Sequence, residues 1–187
     1  MTAKRMWWMI RLAMIRSNKG KAEYARKHGI YNAIGENVGI QSKFLPIYSE
    51  LIRFHNNITI ARGVDFCTHD MIHRILNRVQ KETKFRENIG CIEIMDNVFV
   101  GSNSVLLYGT KIGPNVIIAS GSVVVKDCEP NSVYAGCPAR KIGSFDDYVA
   151  KRRLQEQNGE LTTTTHNQRL TPEEIENAWR VFDAKHS

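Results

Sequence analysis

Acidic residues are almost missing from the first 28 positions of this 187-residue chain, where Glu23 stands alone against Lys4, Arg5, Arg11, Arg16, Lys19, Lys21, Arg26 and Lys27. That segment carries a charge equal to the +7 of the whole chain, so the remainder is close to neutral. A nucleic-acid binder concentrates cations on its folded body and interleaves them with aromatics. Nothing of the kind follows residue 28, which argues against a nucleic-acid partner. Cysteine occurs at 67, 91, 128 and 137, without a CxxC pair or zinc-finger spacing. Thiols scattered in this way read as small buried hydrophobes of an intracellular chain. No apolar run reaches the ~20 residues of a membrane span. The run from Met6 to Ile15 is broken by Arg11 and lacks the small-residue cleavage site of a signal peptide. These absences read as a cytoplasmic protein, one domain with appendages.

What is present is a strict period of six. Ile94, Val100, Leu106, Ile112, Ile118 and Val124 form an unbroken aliphatic ladder. Four positions after each rung stands Val98, Ser104, Thr110, Val116, Ser122 or Cys128, and Gly101, Gly113 and Ala119 follow their rungs directly. This spacing is neither the 3.6 of a helix nor the 2 of an ordinary strand. It fits an all-β solenoid in which three hexads close one triangular coil. Each rung then points inward and stacks on the rung three hexads later.

The ladder starts earlier, at Ile34 and Ile40, slips by two residues through Pro46–Leu51, and resumes at Phe54, Ile60 and Phe66. Ile58 and Val64 fill the small positions there, and the slip implies a bulged corner. From His69 to about Asn88 the pattern vanishes in a polar, basic stretch. That stretch reads as a projecting loop, 69–90, without structure of its own, and such loops are usually functional.

Residues 1–30 read as an N-terminal helical cap, 31–144 as the β-helix and 145–187 as a C-terminal helical extension. Helices are expected over 3–16 and 20–28, the second stopped by Gly29. The first offers Trp7, Trp8, Met9, Leu12 and Ile15 for burial over the open end of the solenoid. Being basic and amphipathic, it also fits a weak contact with a membrane surface. Residues 146–157 read as a helix and 159–168 as a linker. Thr171 and Glu174 then form a capping box, with Pro172 first in a last helix.

Residues 94–102 (IMDNVFVGS), 110–127 (TKIGPNVIIASGSVVVKD) and 131–142 (NSVYAGCPARKI) resemble the hexapeptide-repeat acyltransferases. They look most like the sugar and polysaccharide O-acetyltransferases of the maltose, galactoside and capsule type. The resemblance covers roughly residues 30–145 and is most specific in the closing Ala-Gly-Cys-Pro-Ala-Arg. It implies a left-handed parallel β-helix that trimerises, with active sites between subunits and acetyl-CoA as co-substrate. The acceptor would be a small molecule or glycan carrying a hydroxyl. An N-acetyltransferase on an amino sugar, a drug acetyltransferase and a non-catalytic scaffold remain as alternatives.

Acetyl transfer to a hydroxyl needs a base, a donor for the oxyanion and a groove for coenzyme A. A neutral imidazole suits the first task, and His69 stands where the ladder ends and the loop begins, matching the family's catalytic histidine. His73 lies four residues on and reads as a loop residue near the acceptor. Together with Asp70 the pair raises a metal site, but zinc needs three protein ligands and only His55 offers a third, so no metal is expected. The resemblance places the oxyanion donor at the Ser102 backbone N–H and Phe99 where relatives carry Trp. It places the pantetheine arm near Ala119 and Ser120, with Lys126, Arg140 and Lys141 holding phosphates. Val125 stands where relatives commonly carry Thr. Gln41 and Glu50 fall on the acceptor side.

Overall fold

The computed structural model describes residues 2–42, 44–160 and 169–186. Residues 161–168 of the expected linker lie outside them. Two helices open the chain, α1 (Ala3–Met14) and α2 (Asn18–Lys27). Hydroxyls cap both: Thr2 accepts from the Arg5 N–H and Ser17 from the Gly20 N–H. α1 stops short of its expected end because Ile15 is already extended. Gly29 ends α2 with φ +58°, and the Ile30 N–H returns to the Ala25 carbonyl at 3.0 Å.

Short strands follow: β1 (Ala33–Ile34), β2 (Val38–Ile40), β3 (Ile52–Phe54), β4 (Ile58–Ile60) and β5 (Asp65–Cys67). The excursion expected as a structureless loop instead holds β6 (His69–Asp70), the short helix α3 (His73–Val79) and β7 (Asn88–Ile89). β6 and β7 pair antiparallel and close its base, so the polar stretch forms local structure of its own outside the stacked sheets. Then come β8 (Ile92–Ile94), β9 (Val98–Val100), β10 (Val105–Leu107), β11 (Thr110–Ile112), β12 (Val116–Ile118), β13 (Val123–Val124), β14 (Ser132–Ala135) and β15 (Arg140–Ser144).

The strands sort into three parallel sheets that the chain visits in turn: β1-β3-β8-β11, β2-β4-β9-β12-β14 and β5-β10-β13. Ile112 pairs with Ile94, Ile118 with Val100 and Val124 with Leu106, so rungs stack three hexads apart. Val38 pairs with Ile58 two residues later than that rule, which is the slip. It is absorbed where Tyr48 turns left-handed (φ 54°) before a 3-10 turn over Ser49–Leu51. All six rungs are buried, as are the six small positions. The hydroxyls among them are satisfied inside: Ser104 and Ser122 donate to the Ala119 carbonyl and Thr110 to that of Leu107. Glycine after a rung is a steric demand. A Cβ on Gly101 would lie 2.4 Å from the Ser120 nitrogen.

A second column escaped the sequence reading. Asn37, Asn57, Asn97 and Asn115 all have positive φ, which Asn tolerates better than most residues. Their amides chain from coil to coil at 3.1, 3.0 and 2.9 Å, one corner stacked on the next. On the outer face of the first sheet, Glu93 meets His55, Arg53 and Lys111. The hydrogen bond with His55, then those with Arg53 and Lys111, hold its carboxyl down at about 2.

α2 buries Lys21, Ala22 and Ala25, and its contacts fall on β1 and β2 of the first coil. Of the four thiols only Cys128 is buried, where burial pushes it up to about 12. Cys67 is half-buried, and Cys91 and Cys137 are exposed. The expectation of buried thiols is thus corrected: Cys67 and Cys91 flank the excursion and Cys137 sits in the turn after β14, all off the ladder.

The chain divides into two compact units, Met1–Phe145 and Asp146–Ser187. The second contains α4 (Phe145–Gln157), which starts at the boundary, and α5 (Pro172–His186). The capping box of α5 closes with Thr171 N–H to Glu174 at 2.8 Å and Glu174 N–H to Thr171 at 3.2 Å. No helix among the described residues is long and apolar enough to cross a membrane.

Candidate active site

His69 leaves the third sheet at the corner where the excursion begins. Its Nε2 lies 3.9 Å from a Glu87 carboxylate oxygen, and its ring meets Tyr48 edge-on at 5.3 Å between centroids. The Tyr48 hydroxyl donates to the other Glu87 oxygen at 2.9 Å. That bond, with the Glu87 charge, holds the Tyr48 phenol above its ordinary range and keeps it a donor. The His69 Nδ1 is buried and has no hydrogen-bond partner among the described residues.

Tyr48 and Glu87 were missed by sequence reasoning. Neither belongs to the six-residue period, and Glu87 is one carboxylate in a charged stretch. Only the folding of the excursion back onto its own base brings it to His69.

That base is pinned by Asp70, which accepts from the Tyr108 hydroxyl at 2.5 Å and the Ile72 N–H at 3.0 Å. These bonds, Tyr108 first, hold its carboxyl below the usual range. His73 opens α3 close enough to Asp70 to favour the ionised form, and its own Nδ1 is buried without a partner among the described residues. Glu50 sits in the 3-10 turn beside Tyr48, so it joins this corner. No group of three His, Cys, Asp or Glu side chains among the described residues is placed to hold a metal ion.

The remaining expected residues gather at two other places. The amides of Gln41, Ala61, Gly101 and Ala119 each follow a second-sheet strand and bond to the next coil, forming one column. Gln41, Ser102, Ala119 and Ser120 therefore share the corner between the second and third sheets. The Ser102 N–H donates to no group of the described residues. Phe99 projects outward from β9 on the adjoining face, 43% exposed.

Lys126, Arg140 and Lys141 line one cleft of about 320 Å³ with Val125, Asp127 and Glu129. β15 folds back antiparallel on β14 and sets Arg140 opposite Ala135 and Lys141 opposite Tyr134. Lys141 pairs with Glu129 at 3.0 Å. One chain thus carries the imidazole at one corner of the coil and the Ser102 amide at the next.

Residues 92–126 match the family of bacterial transferase hexapeptide (six repeats). Protein CapG of Staphylococcus aureus is 38% identical over 125 residues, 63% of this chain and 71% of that one. Galactoside O-acetyltransferase of Escherichia coli (strain K12) is 32% identical over the same length, 63% of this chain and 59% of that one, so the match spans less than two thirds of it. Among solved structures, a hexapeptide-repeat-containing acetyltransferase of Vibrio cholerae superposes with TM-score 0.60 at 20% identity, covering 76% of this chain and 89% of that one. Its complex with acetyl coenzyme A gives 0.54, with 76% and 86% covered. At this identity the likeness concerns the fold.

Proposed function

Because the chain belongs to the hexapeptide-repeat transferase family, we propose that it moves the acetyl group of acetyl-CoA onto a hydroxyl of a sugar or polysaccharide precursor, with His69 as general base. The observation that carries this is the place of His69: it stands at the mouth of an excursion from the coil, its ring 20% exposed and its Nε2 facing the Glu87 carboxylate at 3.9 Å. The galactoside O-acetyltransferase among its relatives supports the acceptor class.

The imidazole takes the proton of the acceptor hydroxyl as its oxygen attacks the thioester carbonyl. Glu87, steadied by Tyr48, stabilises the imidazolium that forms. The tetrahedral oxyanion is received by the Ser102 N–H. Collapse breaks the carbon–sulfur bond, and the imidazolium returns its proton to the departing thiolate. The products are an acetyl ester and the coenzyme thiol.

We read the coil as left-handed and the assembly as a trimer. The separation of the two corners supports that reading. The His69 corner of one subunit can meet the Ser102 corner and Phe99 of the next, which completes a site that neither chain holds alone. Gln41 and Glu50 would then approach the acceptor from opposite subunits. Light scattering of the active enzyme should give the mass of three chains, and activity in a single-chain species would remove the shared site.

A further inference from the structure

α1 has two apolar faces, and among the described residues only one is packed against the core. Leu12 is buried, and Trp8 and Met9 pack against the core. On the opposite side Met6, Trp7, Ile10 and Met14 are 49%, 58%, 49% and 67% exposed. At 3.6 residues per turn those four fall within an arc of about 100°. A surface helix normally keeps polar residues on that side, and a cap needs none of these four, since α2 already covers the first coil.

The charges around the stripe identify what it fits. Arg5 is engaged by the Leu45 and Pro46 carbonyls, Lys21 by that of Gln41, and Arg26 by those of Ile34 and Gly35. Lys4 and Arg11 remain exposed along one edge of the stripe, resting over the rings of Trp8 and Trp7. Arg16 and Lys19 are exposed just beyond the helix, and no acidic residue precedes Glu23. Two copies meeting through this stripe would press like charges together. An anionic surface would be attracted by them.

We propose that α1 lies flat on an anionic lipid bilayer, with Trp7, Ile10 and Met14 in the interface and Lys4 and Arg11 at the headgroups. Its twelve residues measure about 18 Å, too short to span and suited to lying in the plane. The Trp7 ring suits that depth, being apolar with one polar edge. This placement is independent of the chemistry at His69, so either can fail without the other.

The test is sedimentation of the whole protein with vesicles of phosphatidylcholine alone and of phosphatidylcholine with phosphatidylglycerol. Partition should favour the anionic vesicles by at least about tenfold and fall as salt rises. The variant Trp7→Ser/Ile10→Ser/Met14→Ser should lose at least about tenfold of it with an unchanged circular dichroism spectrum. Lys4→Gln/Arg11→Gln should reduce the anionic preference by about fivefold per cation, and it decides the matter if the first variant does not fold. Absent partition, equal partition onto both vesicle types, or partition that survives both variants overturns the proposal. A changed mass in light scattering for the folded Ser variant would do the same, by assigning the stripe to a contact between copies.

Discussion

Replacing His69 by Ala should lower kcat by on the order of 10²–10⁴, the usual worth of a positioned general base, and leave KM for acetyl-CoA nearly unmoved. The split follows from the geometry. His69 sits at the exit from β5 with Tyr48 and Glu87, while the expected coenzyme residues occupy other places on the chain. Removing the imidazole therefore strips the proposed base and leaves the cleft lined by Lys126, Arg140 and Lys141 intact. The fold should survive, because His69 carries no core rung and its partners are side chains of the corner and the excursion. Glu87→Gln should cost less than His69→Ala, since the base remains and only the stabilising charge is lost. Steady-state kinetics of the two variants decides this, and a His69→Ala enzyme retaining most of its activity would remove the assignment.

Neutralising both Arg140 and Lys141 should raise KM for acetyl-CoA by about tenfold to a hundredfold while kcat holds, as expected when binding common to ground and transition states is lost. β15 places the two cations on one cleft with Lys126. The pair between Lys141 and Glu129 at 3.0 Å refines the expectation. A phosphate must share Lys141 with that carboxylate, so Glu129→Gln should lower KM, opposite in sign to the cation variants. Both effects should shrink with salt because these groups are exposed. An unaltered KM in the double variant at low salt would place the nucleotide elsewhere.

The fold was legible because burial in a stacked coil imposes its period directly on composition. Every rung from Ile94 to Val124 is buried, and the slip between Ile40 and Phe54 has a physical counterpart at Tyr48. The asparagine column was present in the sequence too, one residue before each inward Val or Ile. It went unread because attention to apolar periodicity passes over polar corners. The excursion resisted reading for a different reason. Its pairing of His69 with Ile89 and its helix from His73 depend on contacts across it, with no repeat to announce them. Glu87 and Tyr48 are therefore tertiary facts, brought to His69 from either side of it in the chain. The cysteines were misjudged because a thiol's burial follows its place on the ladder, and three of the four lie off it.

The most direct test of acetyl transfer to a sugar hydroxyl is mass spectrometry of galactosides and polysaccharide precursors after incubation with the enzyme and acetyl-CoA. The acceptor should become heavier by one acetyl group, attached as an ester that mild alkali removes, and His69→Ala should form it only in traces. An acetyl group found on an amine and resistant to alkali, or no acetylated product from any hydroxyl-bearing acceptor, would contradict it.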